Sequence, residues 1–305
     1  MCNILFIRGT KLPDFFVRRL IRVYPTFSLF VVSLALYTSF VRVPHYVPSF
    51  SELLSTLAFL RTYYPANIFN AEFPIGHLWS LNVEEHSYIF LAVVAAIGHK
   101  AQKKWLTALA LIVATLCALI TSQLYFVSHP DWASPSDVRT EAAALGILAS
   151  VTICYLRHLA PTYFEKLPRL TPIVAVALAF ACFYFYRYRG LQLTAAPLFM
   201  ALAINLIDRT PIFVRQALSN RLFQWLGTCS FSLYLWQQPF HVAFREHGAS
   251  NLLTVTGAIA LGLASFYAFE QPVRTALTSA WKNRDAQRPI FVAQDIDQHP
   301  IPKLD

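Results

Sequence analysis

Charged side chains are scarce: Asp, Glu, Lys and Arg make up 13% of the 305 residues, against about 25% in an average soluble domain. Hydrophobic residues make up 56%, and the mean hydropathy is +0.47. A water-soluble globular enzyme is excluded, and an integral membrane protein is expected. Cysteine is also sparse, with five residues at Cys2, Cys117, Cys154, Cys182 and Cys229, four of them inside apolar stretches. No C-x-x-C spacing or pairing pattern occurs, so neither a disulfide framework nor a metal site is supported. These cysteines read as small buried hydrophobes. Met1 to Gly9 is too short to span and lacks a small-residue cleavage site, so no signal peptide is expected in it. The sequence reads without an inverted repeat of the transporter kind or a low-complexity tract, and no large extracytoplasmic domain is expected within it.

Acidic residues number 16 against 25 Lys and Arg, a formal net charge of +9. Such an excess raises a nucleic-acid reading, but its distribution is topological. A bilayer core of about 30 Å needs roughly 20 apolar helical residues. Eight stretches approach that length: 21–41, 77–98, 105–127, 139–156, 170–186, 191–207, 222–244 and 251–270. A ninth, Ser51 to Leu60 between Pro48 and Pro65, is too short to cross and reads as a re-entrant or interfacial helix. With the N-terminus in the cytoplasm, 19 of the 25 basic residues fall on the inner side. The positive-inside rule then puts both ends in the cytoplasm and makes eight crossings. The fold class is thus an all-α polytopic transmembrane bundle, with a membrane domain over 1–280 and a polar cytoplasmic tail over 281–305.

Ionisable groups within spans are costly, roughly 2.5–3.5 kcal/mol each at a helix centre, and tend to serve function. The second span opens His77-Leu-Trp79-Ser80-Leu-Asn82-Val-Glu84-Glu85-His86-Ser87-Tyr88. At 100° per residue, His77, Ser80, Glu84 and Ser87 share one stripe, which Glu85 flanks. A structural polar seam and a substrate cavity both fit, and two adjacent carboxylates weigh toward the cavity. Arg18, Arg19 and Arg22 sit three and four residues apart at a membrane boundary. They suit bidentate phosphate binding and suit a positive-inside anchor equally. Arg139 and Glu141 are two apart, so they point to different sides and meet partners on other helices.

Five runs, FFVRRLIRVYP at 15–25, HLWSLNVEEHSY at 77–88, RTEAAALG at 139–146, CSFSLYLWQQPF at 229–240 and FEQPVR at 269–274, together resemble the acyltransferase 3 family of integral membrane acyltransferases. The resemblance implies transfer of an acyl group, usually acetyl from acetyl-CoA, to a hydroxyl of a cell-envelope or exported carbohydrate. It places the family's acyl-CoA-associated R-x-x-R pair on Arg19 and Arg22, with Arg18 in support, and its carboxylates on Glu84 and Glu85. The family's R-x-D position falls on Arg139 and Glu141, so Glu replaces Asp, and His86-Ser87 stands where Gln-Phe is usual. The family pattern also implies ten spans, with an Arg and a His about eleven residues apart on the first. Residues 1–30 contain no histidine, so the chain is expected to lack the first two spans. Glu84, Glu85, His77 and His86 are then the groups at the motif able to take a proton.

The expectation is an inner-membrane O-acyltransferase with catalytic Glu84 and Glu85, donor-binding Arg18, Arg19 and Arg22, and supporting His77, Ser80, Arg139 and Glu141. Acetyl-CoA enters as a substrate and no cofactor is bound. The other partners are a carbohydrate acceptor and the lipid bilayer, with no nucleic acid. The alternative is a truncated relative that binds a partner or glycan without turnover.

Overall fold

The computed structural model describes residues 1–42, 47–64, 73–128, 138–184, 189–248 and 250–286. Among them there are helices and turns and no strand. The helices are α1 (Leu12–Tyr37), α2 (Phe50–Leu57), α3 (Trp79–Ala101), α4 (Lys104–Ser128), α5 (Thr140–Ala143), α6 (Leu145–Leu159) and α7 (Pro161–Glu165). They continue with α8 (Thr171–Tyr184), α9 (Arg189–Leu193), α10 (Ala195–Asn205), α11 (Ile212–Leu218), α12 (Arg221–His247), α13 (Asn251–Ser265) and α14 (Gln271–Ala286). Among the described residues, three continuous helical stretches are long and apolar enough to cross a membrane: Leu12–Phe40, Lys104–Ser128 and Asn251–Arg284.

Helix α4 shows what solvent this fold expects. Leu109, Val113, Leu116, Ile120, Leu124 and Val127 recur at helical spacing along one face and are all exposed. In water such a stripe would be an association site; in hydrocarbon it meets its matching solvent. The opposite face of α4 packs Ala108, Leu111 and Ala118 against Leu91 and Ala95 of α3 and Leu145 and Leu148 of α6. The N-terminal π-helical turn Asn3–Ile7 joins this core through Leu5 and Phe6, and His99 bonds the Leu5 carbonyl at 2.7 Å. A second core packs Phe27, Phe30, Val31 and Leu34 of α1 against Phe73, Ile75, Leu78 and Leu81, with Leu235 of α12 closing it.

Several elements differ from the sequence reading. Helix α1 starts at Leu12 rather than at 21, because Pro13 sits in its first turn, where a missing N–H costs nothing. The stretches expected at 139–156 and 191–207 are each broken, at Ala144 and Thr194. Helix α14 runs to Ala286, past the expected start of the tail at 281; no Pro or Gly interrupts 273–286. The remainder of that tail, 287–305, lies outside the described residues, as do Arg187 and, in the loop between 41 and 76, residues 43–46 and 65–72. All five cysteines are free, and Cys117 is exposed rather than buried, since it lies on the outward side of α4.

The short helix α2 is built as a stop. Ser49 Oγ accepts from the Glu52 N–H at 3.2 Å and Glu52 Oε2 accepts from the Ser49 N–H at 2.9 Å, a reciprocal cap. Glu52 Oε1 also accepts from Arg61 Nη2 at 2.8 Å, and Arg61 is only 1% exposed. Eight residues of helix rise about 12 Å, far less than a crossing. At another turn, Arg157 grips Asp208 through two hydrogen bonds of 2.8 and 2.6 Å. That guanidinium holds the Asp208 carboxyl below the usual carboxylate range. The clamp is therefore present at neutral pH and is lost as pH falls through the lowered value.

Helices α12 and α13 pack along each other. Asn220 and Ser250 cap their N-termini, and Gly248, at φ +64°, ends α12 in the left-handed region. A Cβ on Gly262 would stand 2.8 Å from Leu233 Cδ2 and 3.0 Å from Leu233 Cα, whereas one on Gly227 would meet nothing within 4 Å. Small residues permit such approach where lipid offers no hydrophobic drive between helices. Gly262→Ala is expected to destabilise by about 1–2 kcal/mol through overpacking, measured by SDS-titrated unfolding. Gly227→Ala should be neutral or stabilising by up to about 1 kcal/mol.

Candidate active site

Arg19 lies in the second turn of α1 and reaches across to α3. Its Nε donates to both Glu85 oxygens at 2.9 Å, and its Nη2 stands 2.8 Å from Glu85 Oε1 and 3.1 Å from Glu84 Oε1. The guanidinium carbon sits 3.5 Å from the centroid of the Tyr88 ring, a cation–π contact. Tyr88 is four residues after Glu84 and so shares its face; its hydroxyl donates to Glu84 Oε1 at 2.5 Å. One cation thus serves two carboxylates, and a phenol supplies the extra donor. Glu85 is 14% exposed and Glu84 39% exposed. The first carboxylate is spent on the ion pair; the second keeps an open side.

The other Arg residues of α1 go elsewhere. Arg18 and Arg22 line a separate cavity of about 460 Å³ together with residues of α14. Four residues apart, they share a face that Arg19 does not.

His77 precedes α3. It lies in the 3₁₀ turn Gly76–Leu78, so it leaves the stripe expected for the helix. Its ring stands 5.7 Å from Phe30 and 4.8 Å from Tyr234, centroid to centroid. Ser80 Oγ pairs with the Tyr234 hydroxyl at 2.8 Å, and that hydroxyl donates to the His77 carbonyl. Ser87 donates to the Val83 carbonyl of its own helix at 2.6 Å. The stripe therefore divides: its first turn docks on α12 and its second on α1.

Arg139 and Glu141 meet partners on other elements, at a third place. Glu141 accepts from Tyr63 at 2.6 Å and from Tyr125 of α4 at 3.0 Å. The Arg139 guanidinium carbon lies 5.7 Å from the Tyr63 ring centroid. His86 Nδ1 and Thr140 Oγ1 are 2.8 Å apart, so His86, the residue after Glu85, links this network to α3. Tyr63, His86, Thr140 and Glu141 form the polar end of an otherwise apolar groove of about 900 Å³ between α3, α4 and α6. Glu84 and Glu85 do not line it.

Sequence reasoning missed four tyrosines here. Tyr88 was findable from its i, i+4 spacing to Glu84. Tyr63 and Tyr125 come from distant segments and carry no local signal, whereas Tyr234 lies within the singled-out run at 229–240.

The family model described as an acyltransferase domain, acyltransferase 3, matches residues 1–270. A Bacillus subtilis (strain 168) protein named as a peptidoglycan O-acetyltransferase, YrhL, is 25% identical over 86% of this chain and 45% of its own length. The peptidoglycan O-acetyltransferase OatA of Listeria monocytogenes serovar 1/2a (strain EGD-e) is 23% identical over 88% of this chain and 47% of its own. The chain spans less than half the length of these curated relatives. No solved structure matches it.

The Tyr88 geometry yields a stability prediction. Tyr88→Phe removes the hydrogen bond to Glu84 and keeps the ring under Arg19, and should cost about 1.5–3 kcal/mol, the range for bonds to charged groups. Tyr88→Leu also loses the cation–π contact and should cost more. The exposed Tyr64 gives the control, with Tyr64→Phe within about 0.5 kcal/mol of wild type, all read by SDS-titrated unfolding.

Proposed function

The chain belongs to the acyltransferase 3 family, and on that premise we propose that it moves an acetyl group from acetyl-CoA to a hydroxyl of a cell-envelope glycan. The names of the two relatives favour peptidoglycan as the glycan. The observation that carries the reading is the Arg19–Glu84–Glu85–Tyr88 cluster: intramembrane carboxylates held by one guanidinium, with one carboxylate left accessible. In the reaction the acceptor oxygen attacks the thioester carbonyl, the new C–O bond forms and the C–S bond breaks. The hydroxyl proton passes to a base and the departing thiolate takes up a proton. Glu84, the more exposed carboxylate, receives or orients the acceptor hydroxyl, and Glu85 with Arg19 fixes its position. Arg18 and Arg22 take the phosphates of the donor.

The accompanying topology is eight crossings of the inner membrane with both termini cytoplasmic and α2 not crossing. It rests on the basic-residue asymmetry, and it brings donor-binding arginines and cytoplasmic acetyl-CoA to the same side. His77 and Ser80 brace the start of α3 against Tyr234 of α12, and Arg139 and Glu141 support the walls from the side of the groove.

Transfer of labelled acetyl from acetyl-CoA to glycan by the chain in proteoliposomes tests this. Glu84→Gln should lower kcat by about 10²-fold or more, the scale of a lost acid–base group, with KM for acetyl-CoA little changed. Arg22→Ala should chiefly raise that KM, and Lys103→Ala should alter neither. No transfer by wild type, or equal effects at Arg22 and Lys103, would overturn the reading.

A further inference from the structure

The cavity that takes Arg18 and Arg22 has a second wall. Arg274, Thr278, Trp281 and Lys282 of α14 line it opposite Arg18, Ile21 and Arg22 of α1. Offsets of four, three and one residues place the α14 group on one helical face, turned toward α1. Four cations converge on about 460 Å³, and no carboxylate lines the space. Arg18, Arg22 and Lys282 have no ion-pair partner among the described residues. Arg274 reaches Glu270, one turn earlier on its own chain, only at 3.7 Å, and Glu270 is already bonded by Ser232 at 2.6 Å.

Like charges at i, i+4 destabilise a helix, and two such faces brought together repel further. Arg18, Arg22 and Lys282 are exposed, as basic anchors at a membrane boundary are, and with the half-buried Arg274 they line one common space. An anion between them reverses the sign of the interaction. Trp281 adds a second kind of group: its indole Nε1 is buried with no hydrogen-bond partner among the described residues. An indole offers a donor to a phosphate oxygen and a face on which a base can stack. The volume lies within the range of about 300–1,000 Å³ for small-molecule sites.

We infer that α14 completes the donor subsite: Arg274, Lys282 and Trp281 hold the nucleotide phosphate end of the acyl-CoA against Arg18 and Arg22. This rests on the acyl-CoA reading above and adds residues from the far end of the chain to it. Arg19, one residue from Arg18, ties the same turn of α1 to Glu84 and Glu85, so the subsite and the carboxylates are anchored on adjoining faces of a single helix.

The test uses the purified chain in nanodiscs of phosphatidylcholine, with adenosine 3′,5′-bisphosphate as the calorimetric probe and acetyl transfer measured in parallel. Wild type should bind the bisphosphate, more weakly as salt rises. Arg274→Gln and Lys282→Gln should each weaken it about tenfold or more, and Lys103→Gln should leave it unchanged. Lys282 is exposed, so its variant separates loss of binding from loss of fold. Trp281→Phe should remove the fluorescence change seen on titration. Unchanged affinity in the Arg274 and Lys282 variants overturns the inference. So does a wild type that ignores the bisphosphate while those residues govern retention of phosphatidylglycerol, a headgroup site. Transfer that proceeds normally in both variants removes the subsite and keeps the function; bisphosphate binding lost in both variants, with no transfer by wild type, does the reverse.

Discussion

Two carboxylates side by side on a largely apolar helix require a cation, and Arg19 is the cation that Glu84 and Glu85 receive. An uncompensated pair would make α3 costly to hold in a bilayer. The guanidinium meets this need by reaching from α1 with Nε on Glu85, Nη2 near both acids and its face on Tyr88. Much else is arranged around that contact. The first turns of α1 must stand beside α3, which the second hydrophobic core of α1, Phe73 to Leu81 and α12 secures. The start of α3 is pinned by Ser80 and the His77 carbonyl on Tyr234.

Helical spacing then divides labour along five residues of α1. A step of 100° turns Arg19 toward the carboxylates, while Arg18 and Arg22 share the face toward α14. A like division occurs on α3, where Glu85 faces α1 and His86 faces Thr140 and the apolar groove. One turn of helix can serve two compartments because adjacent residues cannot share one. The proposed chemistry uses this: donor phosphates on one side of α1, reacting groups on another.

Much of this architecture was legible from sequence. Apolar stretches of membrane-crossing length located the long helices, and flanking prolines with insufficient length marked Phe50–Leu57 as a helix that does not cross. Intramembrane charge drew attention to Glu84 and Glu85, and helical spacing grouped the arginines. The break at Thr194 has a signal that went unread, since Pro197 lacks the N–H that would bond the Leu193 carbonyl; the break at Ala144 carries no proline. Spacing also misplaced His77, because a 3₁₀ turn rotates it off the stripe. Which arginine meets which partner was beyond any local pattern. The resemblance paired Arg19 with Arg22 and left Arg18 in support, whereas the positions of α3 and α14 put Arg18 with Arg22 and Arg19 on the carboxylates. The same holds for Tyr63 and Tyr125, which join Glu141 from 78 and 16 residues away.

A double-mutant cycle on Arg19 and Glu85, using Arg19→Gln, Glu85→Gln and the pair, tests the central interaction most directly. Unfolding free energies would be measured by SDS titration. The account predicts that each single change destabilises and that the double change costs less than their sum by at least about 1 kcal/mol, since removing one partner strands the other. Additivity within about 0.5 kcal/mol would mean that Arg19 does not hold the carboxylates, and the account of this site would fail.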